Sequence, residues 1–373
     1  MRGRDGKPDH HRLITIDDTS RPLHGALQER DGGPDEPAPA RYNNSTSMAA
    51  RLNPAPSRPP EIVELRRLTA RDLEPLLQEE TAAWWNTLEW DFEKSADLVR
   101  RFVDLRALNG YALMDDGLAI GYIYYVLEDA KGLMGDLFVM REHRTVEREN
   151  LLLAAALHSI VSHPQVTRIE SQLMMLEFAG SRAIPGAANL LAFDRNFMRI
   201  DLRRAVLPES RMRRAISIDR WTDLHQEATA RLIAAAYQGH VDSRINDQYR
   251  TTAGARRFLH NIVQYPGCGA FFRPASFAAF EPSRGVLAGI SLASLVSPDC
   301  GHITQICVSP EVKGSGVGYA LLRQSLMALQ DMGCRAATLT VTAANDGAVA
   351  LYERVGFRTT RRFSAYVWEG FRG

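Results

Sequence analysis

The stretch Thr304-Gln305-Ile306-Cys307-Val308-Ser309-Pro310-Glu311-Val312-Lys313-Gly314-Ser315-Gly316-Val317-Gly318 decides how this chain is read. It opens on an apolar, β-branched run of strand type, and beyond it Leu322, Leu326 and Leu329 share one face of a helix. A glycine-rich turn feeding a helix leaves several backbone N–H groups without partners, and the helix dipole adds positive potential there. Such a geometry binds phosphate. Glycine at 314, 316 and 318 permits backbone angles and a close approach that side chains would forbid. Taken alone, Gly-x-Gly also suits a tight strand-to-helix turn with no ligand.

Outward from the turn, periodicity predicts a strand at 215–218, helices at 224–237 and 253–263, strands at 270–280, 285–296 and 302–308, and a helix at 317–332. A strand at 336–342, a short helix at 347–354 and a strand at 358–368 follow. The region from 61 to 174 shows the same alternation. Aligning Val139 with Val308, an offset of 169, brings Gly121 to Met140 within one residue of register with Gly289 to Ser309. The chain therefore contains an internal duplication. Between the copies lies 203–214, with Pro208 and five arginines, which reads as an exposed connection. These patterns predict an α/β fold with mixed sheets in two tandem domains, 61–205 and 206–373, after a disordered leader at 1–60. The leader holds nine of the 18 prolines and few large apolar residues, so it cannot offset its ordering entropy. Met48, just before the first periodic segment, is a candidate start of translation.

The whole chain has 373 residues with 45 Lys+Arg against 44 Asp+Glu, and a net charge of +1 argues against nucleic acid as the main partner. A hydrophobic fraction of 45% with 24% charged residues belongs to an ordinary globular protein. No run approaches the roughly 18 apolar residues of a membrane span. No signal-peptide pattern stands at the N-terminus, so a cytoplasmic location without membrane attachment is expected. Cys268, Cys300, Cys307 and Cys334 lie far apart without a Cys-x-x-Cys pair, which argues against a zinc site or a disulfide framework.

Past Gly318 the sequence continues to Asn345-Asp-Gly-Ala-Val-Ala-Leu-Tyr352-Glu-Arg-Val-Gly356-Phe357. Together the two motifs resemble the GNAT family of acyl-CoA N-acyltransferases. The family's Arg/Gln-x-x-Gly-x-Gly/Ala signature reads Lys313-Gly-Ser-Gly316-Val-Gly318 here, lysine keeping the charge. The resemblance implies two tandem GNAT folds, acetyl-CoA as cosubstrate and no metal. It implies that Lys313, Gly314, Ser315, Gly316, Val317 and Gly318 hold the pyrophosphate. Ile306, Cys307 and Val308 would offer backbone groups to the acetyl carbonyl and pantetheine. Asn345 would cap the short helix and reach the pantetheine arm. Tyr352 would protonate the departing thiolate as general acid, although it shares a helical face with Ala348, Leu351 and Val355 and also reads as core.

The base has several candidates. The place where relatives that acetylate protein N-termini often carry glutamate is Thr340, which cannot accept a proton. His302, Glu311 and a water chain through Gln305 are the alternatives. The implied acceptor is the primary amine of a small molecule, peptide or protein. The rival is a non-catalytic acyl-CoA-sensing module, which would share the Lys313–Gly318 turn but has no use for Tyr352.

In the first copy, Glu147 and Glu149 stand where Gly316 and Gly318 do, so two carboxylates are expected to face the pyrophosphate. Phe193-Asp194-Arg195-Asn196-Phe197 resembles Tyr352-Glu353-Arg354 and Phe357 without the phenol oxygen. The first domain is therefore expected to be a degenerate, non-catalytic GNAT fold that shapes the acceptor groove. Trp84, Trp85 and Trp90 read as core or interface packing, or as a stacking surface for substrate.

Overall fold

The chain is described by a computed structural model covering residues 59–176, 182–265, 267 and 269–371. The expected leader, with Met48, lies outside the described residues except for Pro59 and Pro60, and Cys268 lies outside them too. The first pass runs β1 (Glu61–Glu64), α1 (Ala70–Leu88), α2 (Glu93–Asp104), β2 (Asn109–Asp115), β3 (Leu118–Glu128), β4 (Lys131–Val139), α3 (Val146–Ser162), β5 (Arg168–Gln172) and β6 (Leu190–Asp201). The second runs β7 (Ser217–Arg220), α4 (Gln226–Ala236), α5 (Asp242–Ile245), α6 (Thr252–Gln264), β8 (Ala270–Phe271), β9 (Phe277–Glu281), β10 (Val286–Ser297), β11 (Cys300–Val308), α7 (Val317–Asp331), β12 (Ala336–Thr342), α8 (Asp346–Val355) and β13 (Arg358–Glu369). No helix among the described residues is long and apolar enough to cross a membrane.

Local chemistry sets these boundaries. Thr69 and Asp72 exchange side-chain and backbone bonds in a capping box that starts α1, and Glu89 ends that helix in a left-handed conformation. The duplication is visible strand by strand: β4 and β11 have the same length and are separated by the offset of 169 read from sequence. In both copies the next parallel pairing is brief. β4 meets β5 from Lys131↔Arg168 to Met134↔Ser171, and β11 meets β12 from Cys300↔Ala336 to Ile303↔Leu339. Beyond Met134 and Ile303 each pair splays apart.

The copies share one sheet, ordered β1-β2-β3-β4-β5-β13-β6-β12-β11-β10-β9-β7, with β8 paired to β10 off this path. The order is symmetric about its middle, but the terminal strands have changed places. β13, the last strand of the second copy, lies against β5 of the first, and β6 lies against β12 of the second. β6 and β13 also pair with each other along nearly their whole lengths. The stretch Phe193–Phe197, which the sequence aligned with the end of α8, thus belongs to a strand whose counterpart is β13. The reason is its buried set, Phe193, Phe197, Met198 and Ile200, which fills a sheet interior.

The cores also cross between copies. Trp84 and Trp90 are buried, with Trp84 stacked on Phe92 at 4.9 Å and Trp90 set 5.1 Å from the ring of His302. These residues share a cluster with Val296, Cys300 and Ala336 of the second copy. Only Trp85 of the three is exposed. The connection at 203–214 keeps most side chains exposed but is bonded by its backbone to α7, through Tyr319 to the Pro208 carbonyl at 2.7 Å and Arg323 to the Leu207 carbonyl at 3.0 Å.

The exchange bears on the excised segment 206–373. That fragment lacks the strand between β12 and β13, and with it buried Phe197, Met198, Ile200 and Leu202. At about 1.5–3 kcal/mol for each such side chain, the loss is comparable with the net stability of a whole domain. Residues 206–373 alone are expected to lack a cooperative melting transition, whereas adding 190–202 as a separate peptide restores one. A sharp transition for the fragment alone, by scanning calorimetry, would refute the structural need for β6.

Candidate active site

The turn after β11 is built as a cradle. Gly314 and Gly316 have φ values of 77° and 91°, the left-handed region that glycine tolerates, whereas Gly318 lies in ordinary helix. A Cβ at Gly318 would meet only Val308, at 3.8 Å, so that glycine serves clearance on the open side. No side chain caps α7, and the amides of Val317, Gly318 and Tyr319 have no acceptor among the described residues. Ser315 does not join them: its hydroxyl turns inward and donates to the Val312 carbonyl at 2.5 Å. Val317 is buried in the core. The connection between copies brings Arg211 and Arg213 beside the turn, with the Arg213 amide donating to the Ser315 carbonyl at 3.0 Å. Sequence reading had these arginines only as part of an exposed linker.

The open amides face a cavity of about 940 Å³ set in the splay between β11 and β12. One wall is β11 from Ile303 to Val308; from Thr304 onward its β12-facing edge has no strand partner. Lys313, Gly314, Gly316 and Gly318 lie at one end, and Thr340, Asn345 and Tyr352 line the β12 side. Asn345 caps α8, its Oδ1 accepting from the Ala348 amide at 3.4 Å. Tyr352 is buried, its ring edge-on to Phe357 at 5.9 Å. Burial first, then the nearby Asp242 carboxylate, raise its phenol well above the ordinary tyrosine range. Burial pushes the Cys307 thiol up to about 12, so it stays protonated at neutral pH.

The other end of the cavity holds groups that sequence reading missed. Tyr237, His240, Asp242 and Tyr249 come from the segment after α4, and Gln172 and Arg195 come from the first copy. Arg195 lies on β6 and reaches the second copy because that strand has crossed over. It donates to Asp242 at 3.1 Å and Thr342 at 2.7 Å, and Thr342 also bonds Asp242. His240 accepts the Asp242 amide at Nδ1, 3.2 Å away. Gln305 is held between two phenols, donating to Tyr237 at 2.7 Å and accepting from Tyr249 at 3.3 Å. The Gln305 side chain is thus engaged by two tyrosines.

His302 is not brought to this cavity. It is buried against Trp90 and Phe197, with Nδ1 2.9 Å from the Thr338 hydroxyl. Burial depresses its pKa to about 4, so it is neutral at pH 7. Glu311 is exposed beside the turn and does not line the cavity. Neither lines the cavity.

In the first copy the corresponding helix start is closed. Thr145 caps α3, accepting from the Arg148 amide at 3.2 Å. Glu147 is exposed, its carboxylate held below the usual range by its own backbone N–H and by the Thr145 hydroxyl. Glu149 does not face outward as expected. It is buried in an ion pair with buried Arg182, with Arg144 at 3.8 Å. Arg182 also bonds Asn150, which in turn holds the Ala183 carbonyl at 2.8 Å. The first turn of α3, although exposed, is thus met by the Thr145 hydroxyl and by the Glu147 and Glu149 carboxylates of its own chain.

An open helix start on a splayed sheet, with an asparagine-capped helix opposite, is the architecture of an acyl-CoA-dependent acetyltransferase fold. Residues 228–357 match the acetyltransferase (GNAT) family, and the chain carries a GNAT domain there. A mycothiol acetyltransferase of Paenarthrobacter aurescens is 35% identical over 92 residues, covering 23% of this chain and 28% of that protein. An N-alpha-acetyltransferase of Arabidopsis thaliana is 33% identical over 70 residues, covering 19% and 37%. The chain thus spans well under half the length of these curated relatives. Among solved structures, a GCN5-related N-acetyltransferase from Sphaerobacter thermophilus superposes with a TM-score of 0.62 at 18% identity, covering 83% of this chain and 95% of that one. A tandem GNAT protein from the clavulanic acid biosynthesis pathway gives 0.55 at 19% identity, covering 84% and 99%. The fold is that of a tandem GNAT protein.

Proposed function

We propose that this protein is an N-acetyltransferase that moves an acetyl group from acetyl-CoA to the primary amine of a small molecule by direct attack. The observation that carries this reading is the contrast between the helix starts: α7 opens its amides onto a large cavity, whereas α3 is capped by Thr145 and carries two carboxylates in its first turn. The first copy is then a non-catalytic partner. In the second, the turn at Lys313–Gly318 grips the pyrophosphate with backbone amides, and the free edge of β11 from Thr304 to Val308 takes the pantetheine and acetyl carbonyl. Tyr352, kept protonated, gives its proton to the departing thiolate. Asp242, whose Oδ1 takes the Arg195 and Thr342 bonds while Oδ2 takes neither, would receive the proton shed by the amine, with the His240 ring beside it. A small-molecule acceptor fits a cavity walled by both copies, through Gln172 and Arg195 of the first. It also agrees with relatives named for a small thiol.

The test joins calorimetry of CoA binding to a thiol-release screen with acetyl-CoA against amines, aminoglycosides and peptides. One CoA per chain and release with a small amine are expected. Two equivalent sites would overturn the assignment of the first copy. Tight CoA binding without release for any amine would favour a sensor.

A further inference from the structure

We propose that Glu80 of α1 and Asp136 of β4 share a single proton in the native protein and form a proton-held latch between that helix and the sheet of the first copy. The inference stands apart from the acetyl-transfer reading. Glu80 is fully buried and Asp136 is 5% exposed, and the two carboxyl groups lie within hydrogen-bonding reach of each other. Their outer oxygens are taken. Tyr122 of β3 donates its hydroxyl to Glu80 Oε2 at 2.8 Å, and the Leu137 amide donates to Asp136 Oδ1 at 2.7 Å. Glu80 Oε1 is left buried without a hydrogen-bond partner. Two carboxylates offer each other only acceptors, so a fully ionised pair would be both repelled and unsatisfied. One proton between them supplies the missing donor.

The surroundings hold no cation that could take the place of that proton. β3 presents Tyr122 and Tyr124, whose rings stack 6.2 Å apart, and α1 adds the indole of Trp84. Among the described residues, no arginine, lysine or histidine is a leading influence on either carboxyl, and His302 of β11, which packs on Trp90, is neutral at pH 7. Burial first, and for Glu80 then the neighbouring Asp136 carboxyl, push both groups above the ordinary carboxylate range. The second copy solves the same position without charge. The offset of 169 places Gln305 where Asp136 stands, and that neutral side chain is held by the phenols of Tyr237 and Tyr249. An aspartate there provides a donor only when it is protonated. Because α1 also carries Trp84 into a core shared with Val296, Cys300 and Ala336 of the second copy, a loosened latch is felt where the copies meet.

An unfolded chain ionises both carboxyls above about pH 5, whereas the native pair keeps one proton, so its contribution to stability is full in acid and is lost as pH rises. The folding constant of the full chain, from urea titrations, is expected to fall by up to about tenfold per pH unit between pH 6.5 and pH 9.0. That window lies above the ordinary histidine value, past which buried His302 adds no slope, and below the ordinary thiol value, where buried Cys300 and Cys307 begin to add theirs. The double variant Glu80→Gln/Asp136→Asn, with no carboxyl left to titrate, should lose the dependence. Glu80→Gln alone, which gives Asp136 an amide donor in place of the proton, should weaken it. The infrared stretch of a protonated carboxyl is expected in the native chain at neutral pH, and this measurement needs no variant. A native folding constant that does not fall across the window, absence of that stretch, or a dependence that the folded double variant retains in full would each overturn the shared proton.

Discussion

Gly318→Glu should lower CoA affinity on the order of 10³-fold while leaving the melting temperature unchanged. The residue lies in regular helix and a Cβ there meets only Val308 at an ordinary distance, so the fold accepts a side chain. What the substitution adds is a carboxylate at the open amides. A like charge about 4 Å from a phosphate, at an effective dielectric near 20, costs about 4 kcal/mol, which is that fold-change. Gly316→Glu is a poorer probe, because Gly316 has φ of 91° and its Cβ would come 3.0 Å from the Arg211 carbonyl. It should lose affinity and stability together. Calorimetry and thermal melting of both variants separate the effects, and unchanged CoA binding in Gly318→Glu would remove the turn from the proposed mechanism.

Tyr352→Phe should lower kcat by roughly 10² to 10⁴, the usual range for loss of a general acid, with CoA affinity and melting temperature preserved. The ring packs against Phe357 without using its hydroxyl, so phenylalanine keeps the contact. Burial raises the phenol pKa, and an acid with a raised pKa holds its proton further into the alkaline range. Tyr352 should therefore impose no alkaline fall in kcat below pH 10, the ordinary tyrosine value. A variant with undiminished kcat in steady-state assays would make Tyr352 a core residue and nothing more.

What could be read from sequence was whatever local pattern encodes. The Lys313–Gly318 turn announces itself because the Asn345–Phe357 motif follows it at the expected separation, and Asn345 stands as a helix cap in a recognisable position. The offset between β4 and β11 survives because apolar alternation must be kept in both strands. Long-range pairing leaves no such trace. Arg195 reads as a polar residue in an ambiguous stretch, and nothing near it in sequence says that its strand will join β12 and bring it to Asp242. The short α5 and the turns around it are too brief and polar for periodicity, so Tyr237, His240 and Asp242 went unnoticed. His302 looked chemical because histidine often is; the aromatic rings that bury it come from the other copy.

The crossed strands also govern the order in which the protein can be completed at the ribosome. Arg168 of β5 and its partner Glu369 of β13 are 201 residues apart. At about 5–20 residues per second, β5 waits roughly 10 to 40 s before its neighbour is synthesised. β6 likewise emerges before either strand that will flank it. An unpaired sheet edge is a template for unwanted association, so the nascent first copy carries that hazard through the synthesis of the second. Closure of the sheet awaits the last strand of the chain, and both halves become native together.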